Sequence, residues 1–98
     1  TVDNFMDAHA LSRLDFIKMD IEGPELMVLQ GALRTLKNHR PAVFCEVSHA
    51  HMARMALEPA DLFALMHSAG YGAALQTEDG FIPVVDLNRS GDYLFVAE

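Results

Sequence analysis

This chain of 98 residues has little that suits a membrane, a nucleic acid or an oxidising compartment. It has one cysteine, Cys45, and so can form no disulfide within itself. Against 14 acidic residues it has 7 basic ones, and its net charge of −7 argues against general nucleic-acid binding, because phosphate contacts need clustered Lys and Arg. No apolar run reaches the ~18–20 residues of a membrane-spanning helix, and no secretory signal is present. The sequence predicts one soluble, cytoplasmic domain with a modest core.

The six glycines are not arranged in a loop that would hold a nucleotide-like cofactor. Such a cofactor is usually held by a Gly-x-Gly loop between a strand and a helix, where the backbone can approach it closely. This chain has no such loop, and it begins at Thr1 rather than at a methionine. We therefore expect it to be the C-terminal piece of a longer domain.

The most informative stretch is residues 15–25, which read Asp-Phe-Ile-Lys-Met-Asp-Ile-Glu-Gly-Pro-Glu. Its apolar members are typical of a strand covered on both faces: Phe16, Ile17, Met19 and Ile21. Pro24 suits the first position of a following helix. Ligands of open α/β sheets bind at the carboxyl ends of the parallel strands. Asp20 and Glu22 are therefore expected at an active-site edge.

This stretch resembles the FkbM-type S-adenosylmethionine-dependent methyltransferases. Further segments fit the same pattern: Thr1-Val2-Asp3, Gln30-Gly31-Ala32, residues 40–47 (Arg-Pro-Ala-Val-Phe-Cys-Glu-Val) and residues 92–96 (Asp-Tyr-Leu-Phe-Val). The resemblance implies the C-terminal half of such an enzyme, which transfers a methyl group to a hydroxyl of a sugar or natural product. In that family the cofactor loop and the ribose-binding acid lie upstream. We therefore do not expect this piece alone to be active or to bind S-adenosylmethionine.

The pattern of apolar residues and turn signals divides the chain into alternating helices and strands. Helices are predicted at residues 3–13 (with Asp3 as N-cap), 24–37 and 59–69, and a loop with a helical turn is predicted at 48–57. Strands are predicted at 15–21, 42–47, 71–76 and 93–97. Residues 81–87 are predicted to form an extended edge segment. The predicted fold is α/β: part of a doubly wound, Rossmann-like, three-layer sandwich whose sheet is mostly parallel with an antiparallel last strand. Numbered by their first residues, the strands take the order 15–42–93–71, as in the resembled fold. The first strand then stands at an open edge, through which we expect homo-oligomers to form.

The carboxylates around the start of the second helix allow two interpretations. If strand geometry persists, the period-two spacing of Asp20 and Glu22 places them on one face. There they could orient a substrate hydroxyl, accept its proton or bind a divalent cation. Alternatively, they only stabilise the helix N-terminus. Glu25, in the first helical turn, is assigned mainly this structural role.

Polar residues of the first two strands form a second group of candidates. Lys18 lies mid-strand and needs a partner if buried, and Glu46 in the neighbouring strand is the candidate for a structural ion pair. Glu46, His49 and His51 should emerge at the same edge as Asp20. They could bind a metal, or one histidine could act as general base. Loop histidines are also commonly just solvated.

The sequence thus predicts catalytic roles for Asp20, Glu22, Glu46 and His49, a cofactor contact for Asp20, and a small-molecule or glycan acceptor. It predicts no nucleic-acid partner and no membrane partner, assigns no metal-ligating residue and leaves open whether a metal is required. Two rival interpretations are a non-catalytic α/β module that associates through its sheet edge, and a metal-dependent hydrolase that uses Asp20, Glu46, His49 and His51.

Overall fold

The computed structural model describes residues 1–9, 14–19 and 25–98. The helices are α1 (Val2–Ala8), α2 (Glu25–Gln30), α3 (Leu33–His39), α4 (His49–Arg54) and α5 (Pro59–Ser68). The strands are β1 (Phe16–Met19), β2 (Ala42–Val47), β3 (Tyr71–Thr77), β4 (Gly80–Val84) and β5 (Gly91–Ala97). They form one sheet in the order β1-β2-β5-β3-β4. The predicted order of the four strands is confirmed, and β4 adds the second edge.

The sheet is not mostly parallel, so this part of the predicted fold is wrong. β1 and β2 pair in parallel, whereas β5 runs antiparallel to both β2 and β3, and β4 runs antiparallel to β3. The predicted antiparallel direction of the last strand is correct. The last strand, β5, lies between β2 and β3, which run in the same direction. Because β5 separates them, β2 and β3 each pair with β5 and not with each other.

One face of the sheet carries the core. Its residues alternate along the strands with those of the other face, and the helices add a second set of side chains to the same cluster. The cluster includes Val43, Cys45, Val47, Ala73, Tyr93 and Phe95 from the sheet, and Leu29, Leu36, Met52, Leu62 and Met66 from the helices. On the opposite face Phe16 is 51% exposed, Phe81 45% and Val96 47%. The described residues therefore form two layers, not the predicted three.

The edges of the sheet are strands β1 and β4. β1 was predicted to lie at an edge, and it does. Association through this edge stays a prediction. Among the described helices, none combines the length and the apolar composition that a membrane crossing requires.

The helix predicted over residues 24–37 is broken at Gly31 and Ala32, which separate α2 from α3. The break lies where the start of α1 packs. The backbone N–H of Asp3 donates to the carbonyl of Gly31 at 3.0 Å. A Cβ atom at Gly31 would lie 3.0 Å from the Cβ of Thr1, so only glycine admits this approach without a shift. A contact between distant segments thus interrupts a helix whose apolar periodicity is continuous.

Asp3 caps a helix, but not the one that the sequence suggested. Thr1 is the N-cap of α1, since its hydroxyl accepts from the N–H of Asn4 at 3.0 Å. The Asp3 carboxylate instead accepts from the N–H of Arg34 at 3.1 Å, and from the N–H and hydroxyl of Thr35 at 2.8 and 2.6 Å. Ala32, the N-cap of α3, has no side-chain cap to offer. Asp3 therefore supplies from α1 the cap that α3 lacks.

This cap sets the protonation of Asp3. Burial by itself would raise the pKa of the carboxyl group, but it is outweighed by the hydrogen bonds from Thr35 and Arg34 and by the charge of Arg34. The pKa of Asp3 is therefore lowered from its ordinary value. The ionised form stabilises the folded chain.

Replacing Asp3 with Asn is expected to lower the free energy of unfolding by about 1 kcal/mol, because the amide nitrogen cannot accept the hydrogen bond that one carboxylate oxygen accepts from the N–H of Arg34. Because the folded-state pKa is lowered, the carboxylate's contribution is complete above the unfolded-state pKa and is lost as the pH falls through the folded-state pKa. The difference in the free energy of unfolding between the unchanged chain and Asp3→Asn should therefore become smaller in acid. Urea unfolding from neutral pH down to about pH 3 measures both effects.

Asp7→Asn is the matched control, because Asp7 lies on the same helix and forms only an exposed ion pair with Arg34. Such pairs contribute a few tenths of a kcal/mol. An equal loss in the two variants, or a difference for Asp3→Asn that persists in acid, would contradict the capping role.

Candidate functional site

The candidate site lies at the carboxyl end of the parallel pair β1–β2. Met19 pairs with Cys45 there, and both strands end within two residues of this position. Asp20 and Glu22 follow β1 in sequence but lie outside the described residues, so their roles stay predictions. Glu25, predicted in the first helical turn, begins α2.

The open face of the sheet has a cavity of about 180 Å³ at this edge, lined by Lys18, Met19, Phe44, Glu46 and Asp92. Glu46 lies directly opposite Asp92 in the antiparallel register of β2 and β5. Like charges in directly opposed positions destabilise a sheet. The two opposed carboxylates are therefore not a stabilising feature of the sheet, and they make this cavity a candidate site.

Asp92 was not among the residues predicted for the site. The sequence pattern places a strand at residues 93–97 beside the second strand, but the pattern does not give the register between them. The observed strand β5 begins at Gly91, two residues before the predicted start, and its register with β2 places Asp92 opposite Glu46. Asp92 could therefore have been predicted only from the strand order together with the register.

The predicted ion pair between Lys18 and Glu46 is wrong. Lys18 is exposed and pairs in register with Phe44, and no ion pair forms between the two described side chains. The prediction assumed that β1 is covered on both faces. Among the described residues nothing covers the face that bears Lys18, so its charge stays hydrated and needs no partner.

Residues 48–57 were predicted to form a loop with a helical turn, and His49 and His51 lie in the helical part, α4, rather than in the loop. Ser48 caps this helix, since its hydroxyl accepts from the N–H of His51 at 3.2 Å. The backbone N–H of His49 donates to the hydroxyl of Ser90 at 3.0 Å. Ser48 therefore caps the first turn of α4, and Ser90 connects that turn to the segment that leads into β5.

The ring of His49 is held by one specific hydrogen bond. Its Nε2 lies 2.6 Å from the carbonyl oxygen of Leu87. A carbonyl can only accept, so Nε2 carries the proton, and in the neutral ring Nδ1 keeps the lone pair. His49 is thus oriented as a hydrogen-bond acceptor or proton acceptor at Nδ1.

The structure does not bring Glu46, His49 and His51 into one metal site. Glu46 lines the cavity on the open face, whereas His49 lines a different cavity of about 300 Å³. Across the described ranges, no three His, Cys, Asp or Glu side chains are grouped so that they could hold a metal ion. Of the residues in the hydrolase interpretation, only Asp20 lies outside those ranges.

Comparison with protein families places this geometry in a known context. Residues 1–72 match the family described as methyltransferase FkbM domain. The chain belongs to this family. Membership supports methyl transfer as the general activity. The match includes the β1–β2 edge and helix α4, whereas β4, β5 and Asp92 lie beyond it. Comparison with curated proteins and with solved structures finds no match.

Glu46→Gln is expected to raise the free energy of unfolding by about 0.5 kcal/mol, because it removes one of two directly opposed carboxylates. Glu78→Gln, in the exposed turn between β3 and β4, removes the same charge away from the site and serves as control. Urea unfolding at low salt compares the two variants. If Glu46→Gln is less stable than the unchanged chain, Glu46 has a structural role that the register does not show.

Proposed function

We propose that this chain is the C-terminal part of an FkbM-type enzyme that transfers a methyl group from S-adenosylmethionine to a hydroxyl oxygen of a sugar or natural product. The observation that carries the proposal is the family match over residues 1–72, because it includes the acidic segment after β1. That segment follows the carboxyl end of a parallel strand pair, where α/β enzymes bind their ligands. Membership in the family implies that the complete enzyme uses S-adenosylmethionine.

The residues of this chain suit the acceptor side of the reaction. S-adenosylmethionine supplies a methyl group on a positively charged sulfur, and transfer forms a C–O bond while the C–S bond breaks. The acceptor hydroxyl must be held in line and must lose its proton. We assign the orientation of the hydroxyl and the acceptance of its proton to the carboxylate of Asp20, with Glu22 and Glu46 as supporting carboxylates. His49, with its lone pair at Nδ1, is the alternative proton acceptor.

The cofactor side is not provided by this chain. The sequence has no glycine-rich loop between a strand and a helix, so no such backbone cradle can form here. The cavity at the β1–β2 edge is small, at about 180 Å³, and is lined by Lys18 and two carboxylates. We therefore infer that most of the cofactor pocket belongs to a preceding segment of the complete enzyme.

The chain alone should not bind S-adenosylmethionine measurably, because it lacks that segment. Calorimetric titration of the 98-residue chain tests this expectation. A dissociation constant in the low micromolar range would show that the pocket lies within these residues and would overturn the proposed division of the site.

In a complete enzyme that contains this chain, Asp20→Asn should reduce methyl transfer by about 100-fold or more while the fold stays intact, the usual scale for loss of a general acid–base group. The change removes a charge and a proton acceptor but little volume. Transfer of a labelled methyl group to the acceptor, with circular dichroism as a folding check, measures the effect. Asp79→Asn, in the exposed β3–β4 turn, is the control. Activity within a few-fold of the unchanged enzyme would show that Asp20 is not catalytic and only stabilises the N-terminus of the following helix.

A further inference from the structure

The cavity beside His49 has the composition of a small-molecule site. It has a volume of about 300 Å³ and lies between the starts of α4 and α5 and the connection from β4 to β5. Its apolar walls include Pro59, Phe63 and Leu87. Its polar groups include His49, Glu58 and Asp86. A mostly apolar concavity with a few convergent polar groups is the usual form of a ligand pocket.

Three of the four polar side chains that line the cavity, those of His49, Glu58 and Asp86, offer hydrogen-bond acceptors, and the amide of the fourth, Asn88, both accepts and donates. Glu58 is the N-cap residue of α5 but makes no capping hydrogen bond through its side chain. One oxygen of Asp86 accepts from the N–H of Asn88 at 3.2 Å, and within the described ranges its other oxygen has no such bond. The bond from His49 to Leu87 leaves Nδ1 as the acceptor of the neutral ring.

The charge of the cavity favours a cation. Glu58 and Asp86 both line it, and neither lysine nor arginine is among its described lining residues. Arg89, close in sequence, lines a different cavity with Thr77 and Glu78.

The N-termini of α4 and α5 border the cavity and would attract an anion instead. At α4 the backbone N–H of His49 already donates to the hydroxyl of Ser90. Two properties of α5 oppose the effect at its own N-terminus. Pro59, at the start of α5, has no N–H to donate. The carboxylate of Asp61 lies in the first turn, next to that of Glu58. These negative charges offset the partial positive charge of the helix end.

We infer that this cavity binds a small organic amine in its ammonium form. The ammonium group lies between Glu58, Asp86 and Nδ1 of His49, and the apolar body packs against Phe63 and Leu87. The inference does not rest on methyl transfer, because it uses only the cavity and the groups that line it. Its failure would leave the proposed reaction untouched.

Three probes of the same shape test the inference on the 98-residue chain. Cyclohexylammonium, cyclohexanol and cyclohexanecarboxylate are titrated separately to about 10 mM and followed by amide NMR shifts. The ammonium probe should bind with a dissociation constant of about 1–5 mM, shifting the signals of residues 49, 58–63 and 86–88. The alcohol should bind several-fold more weakly, and the carboxylate should not bind. No binding of the ammonium probe, or binding of either other probe at equal strength, overturns the inference.

Two charge-removing variants locate the binding. Asp86→Asn and Glu58→Gln should each weaken binding of cyclohexylammonium by roughly threefold, the scale of one exposed ion pair. Asp79→Asn makes the same change in net charge in the β3–β4 turn and should leave the affinity unchanged. Circular dichroism shows whether each variant is folded. If Asp79→Asn weakens binding as much as the other two, the attraction is a general effect of the negative chain and the site is refuted.

Discussion

The fold depends on the insertion of β5 between β2 and β3. Those two strands do not pair with each other, so without β5 the sheet would separate into the β1–β2 pair and the β3–β4 pair. Tyr93 and Phe95, both almost fully buried, join the apolar faces of the two halves into one core. The same insertion builds the site. It places Asp92 opposite Glu46, and it brings the residues before β5 into hydrogen-bond contact with His49.

Much of the fold could be predicted, because the local sequence patterns of the helices and strands are consistent with the strand order of the sheet. The strand Ala42–Val47 has the predicted bounds, and the helix starting at Pro59 ends within one residue of its prediction. The break at Gly31 was not predictable from periodicity, because its cause is the distant contact with Thr1 and Asp3. Tertiary contacts commonly override local helix patterns in this way. The sheet was predicted to be mostly parallel although the predicted order already placed an antiparallel strand between two others, an arrangement that leaves β1–β2 as the one parallel pair among the described strands.

The candidate site was predicted less completely than the fold. Glu46 was found because it ends a buried strand, whereas Asp92 required the register of β5, which no local pattern supplies. Lys18 was given a partner because both faces of its strand were assumed to be covered. The helix that holds His49 has a visible N-cap in Ser48, but its six residues are too short for apolar periodicity to show. The described geometry alone gives no reason to expect catalysis at the segment after β1. Membership in the FkbM family supplies that reason, because the family match includes this segment.

Two separate cavities contain the two described residues that were predicted to be catalytic, Glu46 and His49. Glu46 lines the cavity on the open face, which it shares with Lys18 and Asp92, whereas His49 lines the cavity beside α5. Among the described residues, none lines both cavities. A proton acceptor must lie within hydrogen-bond reach of the reacting hydroxyl, so one bound acceptor molecule is served by the carboxylates or by His49, but not by both at the same atom. The opposed carboxylates of Glu46 and Asp92 are the reason that we propose the open face, rather than the cavity beside α5, as the place of the reaction.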